Sequence, residues 1–366
     1  MTMPLKIRLV FIIILQQYFF PMAALGATMA HFIGTDGVVT GFNAETDTVL
    51  SSRKLDRSDG QIQDGEKTVL ADPVNSKLFV VTGCQETRVL VYDLRTLQFI
   101  KDMGVVSSNP DITLFRTHDS KKIFIVWWNA ELAEGAWQFD VIDGQSLGKI
   151  ETLDFFFFPK NTTSSVDSTI LYAIEGGDNG KIKLIDTSML KITSTIDLNT
   201  VWRSDVFARA VIDSVNERIL IGENEKTNED TMQFSYFIYN AMTRVSTPRI
   251  NTGLKGEAKL DPSGAKLFFD EEQDVESPDK SHILSMNSVG RLHVYNLNLS
   301  SESAVIPFSV DGQSDILGVH PSGAKVYLVG YVAGVRKLIV IDVLNKRVAD
   351  TLRFPDSAFT MIFYEN

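Results

Sequence analysis

The sequence predicts an all-β protein, a seven-bladed β-propeller closed by pairing of its C-terminal strand with the N-terminal blade. Three observations indicate this fold: a hairpin phrase that occurs seven times, a turn phrase that precedes most of the hairpins, and two chain ends that complement each other. A length of 366 residues would suggest two or three domains. All-β chains, however, often run long as single domains.

The hairpin phrase is a β-rich run that ends in Asp or Asn, followed by a polar turn and a second β-rich run. Alternating apolar residues mark half-buried strands, and the central Asp or Asn marks a turn. Its seven copies lie about fifty residues apart, a period typical of propeller blades: "VTGFNAETDTVLSS", "VLVYDLRTLQFIKD", "FDVIDGQSLGKIET", "IKLIDTSMLKITST", "YFIYNAMTRVSTPR", "LHVYNLNLSSESAV" and "LIVIDVLNKRVADT".

The turn phrase joins two further strands, because Asp-Pro and Ser-Gly pairs punctuate it. Together the two phrases give four antiparallel strands per unit, which we name a to d in chain order. A four-stranded unit at this period indicates a propeller blade, in which strand a lines the central channel. Six copies of the turn phrase are clear: "LADPVNSKLFVVTG", "LFRTHDSKKIFIVW", "SSVDSTILYAI", "AVIDSVNERILIGE", "AKLDPSGAKLFFDE" and "GVHPSGAKVYLVGY".

The two ends of the chain supply the parts of the remaining blade. "AHFIGTDGVVTGFNAETD" provides strands b, c and d without a strand a, whereas "DSAFTMIFYEN" is a single apolar strand with no hairpin after it. We expect the last strand to complete the first blade, because this pairing satisfies backbone groups at two exposed sheet edges. The sequence therefore predicts one propeller domain over residues 31–366.

The first thirty residues have the pattern of an export signal. Lys6 and Arg8 form the basic end, "LVFIIILQQYFF" the apolar run and "MAALGATMA" the small-residue cleavage region. The apolar run is much shorter than the roughly 20 residues that a membrane-spanning helix needs. We therefore expect residues 1–30 to be a signal peptide, cleaved near Gly26 to Ala30, and the mature protein to be periplasmic or secreted, with no membrane span.

The charge argues against a nucleic-acid partner, and the cysteine content excludes an intrachain disulfide. The formal net charge is −11, and loss of Lys6 and Arg8 with the signal would change it to about −13. Such acidity argues against nucleic acid, whose phosphates need Lys and Arg contacts, and is compatible with cationic partners. Cys84 is the only cysteine, so an intrachain disulfide is impossible and stability must come from the core.

The repeat units resemble the bacterial YVTN-type propeller family. The residues that carry the resemblance are "PSGAKLFF" and "PSGAKVYLVG", followed by hairpins such as "LIVIDVLNKRV", and it covers essentially all of the mature chain. Several units are degenerate, and strand b reads "FVVTG" or "YLVGY" where the family has its signature. The resemblance implies relatedness to the large subunits of periplasmic quinone-dependent amine dehydrogenases, to propeller parts of nitrite and nitrous oxide reductases, and to lactonases.

The stretch "DFFFFPK" is the most conspicuous feature outside the repeat. It lies in a d–a connection, which in a propeller emerges on the same face as the b–c connections, near the channel mouth. One interpretation is that all four rings fold down over the channel; the other is an exposed aromatic anchor for a partner protein or an apolar ligand. The run and the basic residue after it form the core of a candidate binding face: Phe155, Phe156, Phe157, Phe158 and Lys160.

Acidic residues are predicted on the same face. Two b–c loops, Gly222–Gln233 and Asp270–Ser281, are dense enough in carboxylates to bind calcium or a basic protein surface, although solvated loops are the alternative. Acids near the starts of strands a would give the channel mouth a negative rim that attracts cations such as amines, unless they only form turns. These acids are Glu66, Asp111, Asp205, Glu257, Asp315 and Asp356.

The usual catalytic signatures do not point to an enzyme. The five histidines fall in different blades or connections, and the sequence contains no nucleophile elbow, P-loop or Rossmann fingerprint. We therefore predict no catalytic residues and no cofactor, apart from calcium at the acidic loops. The interpretation that follows is a binding or scaffold propeller that holds a protein partner or small ligand; the alternatives are an amine dehydrogenase propeller subunit and a lactonase-like hydrolase that uses channel acids.

Overall fold

The computed structural model places most of the chain from Ala27 onward. It describes residues 27–365 apart from these segments: 57–61, 63–67, 84–86, 108–111, 130–135, 158, 176–180, 198–208, 214–217, 229–230, 241–244, 247–249, 252–257, 261–265, 271–287, 298–300, 312–313 and 355–356. All regular structure in the described residues is β-strand. These ranges contain no helix that is long and apolar enough to cross a membrane.

The strands follow the predicted repeat. Blade 1 contains β1 (Thr28–Gly34), β2 (Val38–Asn43) and β3 (Thr48–Lys54), and blade 2 contains β4 (Val69–Asp72), β5 (Lys77–Thr82), β6 (Thr87–Asp93) and β7 (Phe99–Ser107). Blade 3 contains β8 (Ile112–Arg116), β9 (Lys122–Asn129), β10 (Ala136–Asp143) and β11 (Lys149–Phe155), and blade 4 contains β12 (Pro159–Ser164), β13 (Ile170–Glu175), β14 (Lys181–Asp186) and β15 (Lys191–Asp197).

The second half of the ring continues in the same way. Blade 5 contains β16 (Arg209–Asp213), β17 (Arg218–Asn228), β18 (Thr231–Asn240), β19 (Val245–Ser246) and β20 (Ile250–Asn251), and blade 6 contains β21 (Ala258–Leu260), β22 (Lys266–Asp270), β23 (Ser288–Asn296) and β24 (Ser301–Val310). Blade 7 contains β25 (Ser314–Val319), β26 (Lys325–Val332), β27 (Val335–Asp342) and β28 (Arg347–Arg353), and the last strand is β29 (Ala358–Glu365).

The described residues form seven antiparallel sheets, and the ring of sheets is closed by the last strand. β29 pairs with β1 in antiparallel register from Thr28 opposite Glu365 to Gly34 opposite Ala358, so it is strand a of blade 1. The innermost strands also contact one another in sequence around the ring: β4, β8, β12, β16, β21, β25, β29 and again β4. The predicted seven-bladed propeller is therefore confirmed.

The start of the first sheet differs from the predicted domain boundary. β1 begins at Thr28, and Ala30 is completely buried against blade 7. Because the alternation of the strand already includes Met29 and Ala30, the sheet begins three residues earlier than the boundary predicted between residues 30 and 31.

The hydrophobic core lies between neighbouring blades. Buried residues of adjacent sheets form separate clusters, such as the one that joins blades 7 and 1 through Phe32, Phe42 and Tyr327. The rings of Phe42 and Tyr327 meet edge to face with centroids 5.6 Å apart, an orientation that aromatic pairs favour. Because no disulfide can form, this interblade packing is what stabilises the ring.

Lysines at the start of strand b tie three of the blades, 2, 3 and 7, to the blade that follows. Lys77, Lys122 and Lys325 are the first residues of β5, β9 and β26. Their ammonium groups donate to backbone carbonyls in the c–d turn of the following blade: Lys77 Nζ to Gly144 O at 2.6 Å, Lys122 Nζ to Thr187 O at 2.7 Å and Lys325 Nζ to Ala44 O at 2.9 Å. This function accounts for the lysine in the turn phrases "NSKLF", "SKKIF" and "GAKVY".

Candidate functional site

The ring has two faces with different connections. We call the face that carries the d–a and b–c connections the loop face; among described residues it includes 34–38, 155–157 and 332–335. The opposite face carries the a–b and c–d turns, for example 72–77, 93–99 and 342–347, and we call it the turn face. The candidate binding residues were predicted to lie on the loop face.

The phenylalanine run is the d–a connection between blades 3 and 4. Phe155 is the last residue of β11, and Pro159 is the first residue of β12. Only a few residues separate an outermost strand from the innermost strand of the next sheet. The connection is therefore short and held at both ends by sheet pairing.

Two of the four rings are part of the interblade core. Phe155 is 9% exposed and Phe157 is 7% exposed, and both belong to the cluster between blades 3 and 4. The Phe155 ring meets Phe139 edge to face with centroids 4.7 Å apart and lies 5.4 Å from the Phe157 ring. These two rings hold the connection against the core between the blades, and not over the channel as the first interpretation had it.

Phe156 has the opposite environment, with 72% of its surface exposed to solvent. The interpretation that all four rings fold down is therefore wrong for this residue, because its neighbours on both sides occupy the space between the blades. Phe158 lies outside the described residues, and Lys160 belongs to β12 without a described side chain. Phe156 therefore projects into solvent between two buried phenylalanines.

Polar groups fix the surroundings of this connection. The Lys183 ammonium lies 5.8 Å from the centre of the Phe157 ring and 3.5 Å from the Glu175 carboxylate, so it bridges the ring and the acid. On blade 3, Gln138 Nε2 donates to Asp154 Oδ1 at 2.7 Å. These contacts restrain the strand that leads into the run and the sheet that receives it.

Two tryptophans on the loop face were not identified from the sequence as site residues. Trp128 lies near the end of β9 and Trp137 near the start of β10, and their ring centroids are 5.5 Å apart at an interplanar angle of 54°. Trp137 also packs against the cluster that contains Phe155. An aromatic residue at each end of the b–c connection in "VWWNAELAEGAW" was the available signal.

A second apolar spot on the loop face lies on blade 7. Tyr331 and Val335 are exposed on either side of the tight turn that joins β26 and β27. Ala333 and Gly334 both have positive φ, 53° and 71°, which is the conformation of a two-residue hairpin turn. Asp311 Oδ2 accepts a hydrogen bond from the Gly334 N–H at 2.8 Å and so restrains the turn.

The predicted acidic rim can be located at one position. Asp315 lies on β25, the innermost strand of blade 7, and its side chain is exposed. The other five predicted rim acids lie outside the described residues: Glu66, Asp111, Asp205, Glu257 and Asp356. The rim as a whole thus stays a prediction.

The first acidic loop proves to be a continuation of a sheet. β17 extends to Asn228 and β18 begins at Thr231, with Glu225 opposite Gln233 and Lys226 opposite Met232. The prediction of a loop over Gly222–Gln233 was therefore wrong: cross-strand pairing satisfies the backbone donors and acceptors of the segment. Of the second loop, Asp270 ends β22 and residues 271–281 lie outside the described residues.

Metal ligands do not converge in the part of the chain that the structure describes. Within it, no group of three or more His, Cys, Asp or Glu side chains is placed to hold a metal ion. His31 is buried in blade 1, where its Nε2 lies 2.7 Å from the Leu94 carbonyl oxygen and burial lowers its pKa. His293 lies in blade 6 beside Glu302, and His320 in a turn of blade 7 beside Ser322. Calcium at the acidic segments stays a prediction.

Comparison with known proteins identifies the fold. No family model and no curated protein matches the sequence. Among solved structures, hydrazine synthase from Kuenenia stuttgartiensis is similar over 86% of this chain and 94% of that chain, at 15% identity and a TM-score of 0.56. The dihydro-haem d1 dehydrogenase NirN is similar over 92% and 75%, at 10% identity and a TM-score of 0.57. The Pan2 WD40 domain from Neurospora crassa is similar over 85% and 89%, at 13% identity and a TM-score of 0.53.

These three proteins contain β-propellers, and identities this low show a shared fold and nothing further. The same architecture occurs in a synthase, a dehydrogenase and a WD40 domain, in accordance with the general rule that one fold hosts many functions.

Proposed function

We propose that this protein is an exported binding module without catalytic residues of its own, and that it holds a protein partner on the loop face with Phe156 as the central contact. The observation that carries the proposal is the exposure of Phe156, 72% free to solvent between two buried phenylalanines. An aromatic side chain has only two rotatable bonds, so it loses little conformational entropy when a partner covers it. Such rings are typical centres of protein interfaces.

The buried neighbours of Phe156 support this function. Phe155 and Phe157 are locked into the core between blades 3 and 4, so the position of the exposed ring is set by two sheets. Burying a phenylalanine side chain contributes about 1.5–3 kcal/mol, enough to change affinity more than tenfold. Trp128 and Trp137 on the same face extend the aromatic surface beside it.

Two narrower assignments belong to this proposal. The phrases "PSGAKLFF" and "PSGAKVYLVG" support membership of the YVTN-type repeat family, and the basic and apolar pattern of residues 1–30 supports export to the periplasm or the cell exterior. The acidic composition favours a partner with a basic surface around an apolar pocket. We assign the loop face, rather than the channel acids, to this partner, and the exposure of Phe156 on that face supports the choice.

The test is partner capture with Phe156→Asp. A partner is first isolated from periplasmic extract with the unmodified protein, identified, purified and titrated against both forms. We expect Phe156→Asp to weaken binding by about 30-fold, since it removes about 2 kcal/mol of apolar burial and adds a charge. Thermal melting should be unchanged, because the side chain is exposed.

Leu344→Asp is the matched control. Leu344 is also 72% exposed but lies in a c–d turn of blade 7, on the turn face. Equal binding by Phe156→Asp and the unmodified protein, with equal melting temperatures, would exclude the loop-face anchor. If the captured partner is a small quinone-bearing or haem-bearing chain, the protein is the propeller subunit of an oxidoreductase and the scaffold function is excluded.

A further inference from the structure

An exposed carboxylate lies beside Phe156 at the end of blade 3. Asp154 of β11 precedes Phe156 by two residues, and both side chains are exposed, whereas Phe155 between them is buried. Alternate residues of an extended segment point to the same side, with Cα atoms roughly 7 Å apart. The ring and the carboxylate therefore lie within reach of one side chain of a partner.

Side chains of two neighbouring strands hold this carboxylate in place. Asn129 Nδ2 of β9 donates to Gln138 Oε1 of β10 at 3.1 Å, and Gln138 Nε2 donates to Asp154 Oδ1 at 2.7 Å. Asp154 Oδ2 takes no part in this relay, and the described residues place no cation beside the carboxylate. The sheet thus orients Asp154 before binding, which lowers the entropy cost of a contact to its second oxygen.

The protein covers two other aromatic rings of its d–a connections with its own cations. The guanidinium carbon of Arg336 lies 5.3 Å from the centre of the Phe354 ring, in the connection from blade 7 to β29. The Lys183 ammonium lies 5.8 Å from the centre of the Phe157 ring. A cation over the face of an aromatic ring is attracted by the quadrupole of the ring. Within the described ranges Phe156 has no such cover, so its ring can accept a cation from outside.

We propose that the loop-face partner is a protein that places an arginine on Asp154 and Phe156, with its guanidinium paired to the carboxylate and stacked on the ring. Arginine fits this pair better than lysine, because a planar guanidinium can donate to a carboxylate in its plane while its face covers a ring. The formal net charge of −11 favours the approach of a basic partner. This assignment rests on the proposed function and names the chemistry of the residue that meets Phe156.

The two contacts together set the expected size of the effect. An exposed ion pair changes affinity by about fivefold at most. A cation over an exposed ring changes it by about two- to fivefold. Because one guanidinium makes both contacts, loss of that group should weaken binding by about tenfold.

Selection from a random dodecapeptide phage library tests this chemistry. The full chain is the bait, and the selected peptides that fail to bind Phe156→Asp are synthesised and titrated by calorimetry. We expect these peptides to contain an arginine whose replacement by glutamine weakens binding about tenfold. Replacement by lysine should weaken binding about threefold, because the ion pair remains and the planar stacking is lost.

Asp154→Asn removes the charge but keeps an oxygen that can accept from Gln138. It should weaken binding of the arginine peptide about fivefold and leave binding of the glutamine peptide unchanged, at an equal melting temperature. The matched control is Asp350→Asn, which makes the same substitution at an exposed position of β28 in blade 7. The control should bind both peptides as the unmodified protein does.

Two kinds of result would contradict these expectations. Phe156-dependent peptides without arginine, or an arginine peptide that binds Asp154→Asn as tightly as the unmodified protein, would overturn the assignment of arginine and leave Phe156 as the anchor. A selection that yields no peptide dependent on Phe156 would overturn both this assignment and the proposed function.

Discussion

Phe155 and Phe157 face the space between blades 3 and 4 and Phe156 points away from it, because successive side chains of an extended segment alternate in direction. The three residues have the same chemistry, so only the backbone direction distinguishes them. For the two buried rings, neighbours such as Phe139 replace water, and the gain scales with the apolar area removed from it. The exposed ring contributes nothing of this kind to folding, which leaves it free for binding.

This difference predicts very unequal effects of the same truncation on stability. Phe157→Ala should lower the free energy of unfolding by about 3–5 kcal/mol, because it opens a cavity between the blades. Phe156→Ala should change it by less than about 0.5 kcal/mol, as exposed substitutions usually do. Urea unfolding of both variants checks the prediction, and a similar loss for the two would mean that Phe156 is packed in solution.

The sequence could predict part of this residue pattern. A run of four rings on a two-sided strand requires that two point inward and two elsewhere. Which two rings point inward depends on how β11 pairs with β10. That pairing shifts by one residue between Val141 and Ile142 of β10. No residue type identifies a bulge of this kind in the sequence. The orientation of Phe156 could therefore not be derived from residue types alone.

At the scale of the elements, the c–d turns follow one design. An Asp or Asn ends strand c, and the residue four positions later has positive φ: 56° at Leu97, 59° at Leu147 and 51° at Lys346. In blade 3, Asp143 Oδ1 accepts from the Ser146 N–H at 2.7 Å, and hydrogen bonds from Ser146 hold the pKa of Asp143 below its usual value. The hairpins were predicted from this Asp or Asn, but the left-handed residue was not, because leucine rarely adopts that conformation.

The repeated turn allows one substitution to be compared in two environments. Leu147 is buried and Lys346 is exposed, although both have positive φ. Leu147→Gly should lower the free energy of unfolding by about 2–4 kcal/mol, because lost burial outweighs relief of backbone strain. Lys346→Gly should raise it by about 0.5 kcal/mol, since only the relief remains. Denaturant unfolding gives both values, and a gain at Leu147 would show that strain dominates the turn.

Strand length is the property of the elements that the sequence conveyed least well. The segment Gly222–Gln233 is rich in acids and amides, which have low strand propensity, and so was predicted as a loop. In the structure β17 and β18 continue through it, because pairing across a hairpin satisfies the backbone whatever the side chains are. Propensity therefore failed where an adjoining paired sheet could simply extend.

At the scale of the whole molecule, the closure of the ring was predictable because each chain end lacks strands that the other end supplies. The N-terminal unit lacks a strand a and the C-terminal segment lacks a hairpin, so each end has unpaired backbone that the other can satisfy. Side-chain patterns vary between blades, but this requirement for hydrogen bonds does not. The fold was therefore predictable at high detail, whereas the candidate site depends on local orientation and on connections of irregular structure.

Removal of residues 358–366 should open the ring. β29 contributes the buried residues Ala358, Met361 and Tyr364 and all of the backbone pairing on one side of β1. The expected loss is comparable to the whole stability of a typical domain, about 5–15 kcal/mol, so the shortened chain should lose its cooperative melting transition. Adding a synthetic peptide of residues 356–366 should restore the transition in proportion to peptide concentration, because ligand that binds only the folded state stabilises it. A scrambled peptide is the control, and an unchanged melting temperature on removal would show that the last strand does not hold the ring together.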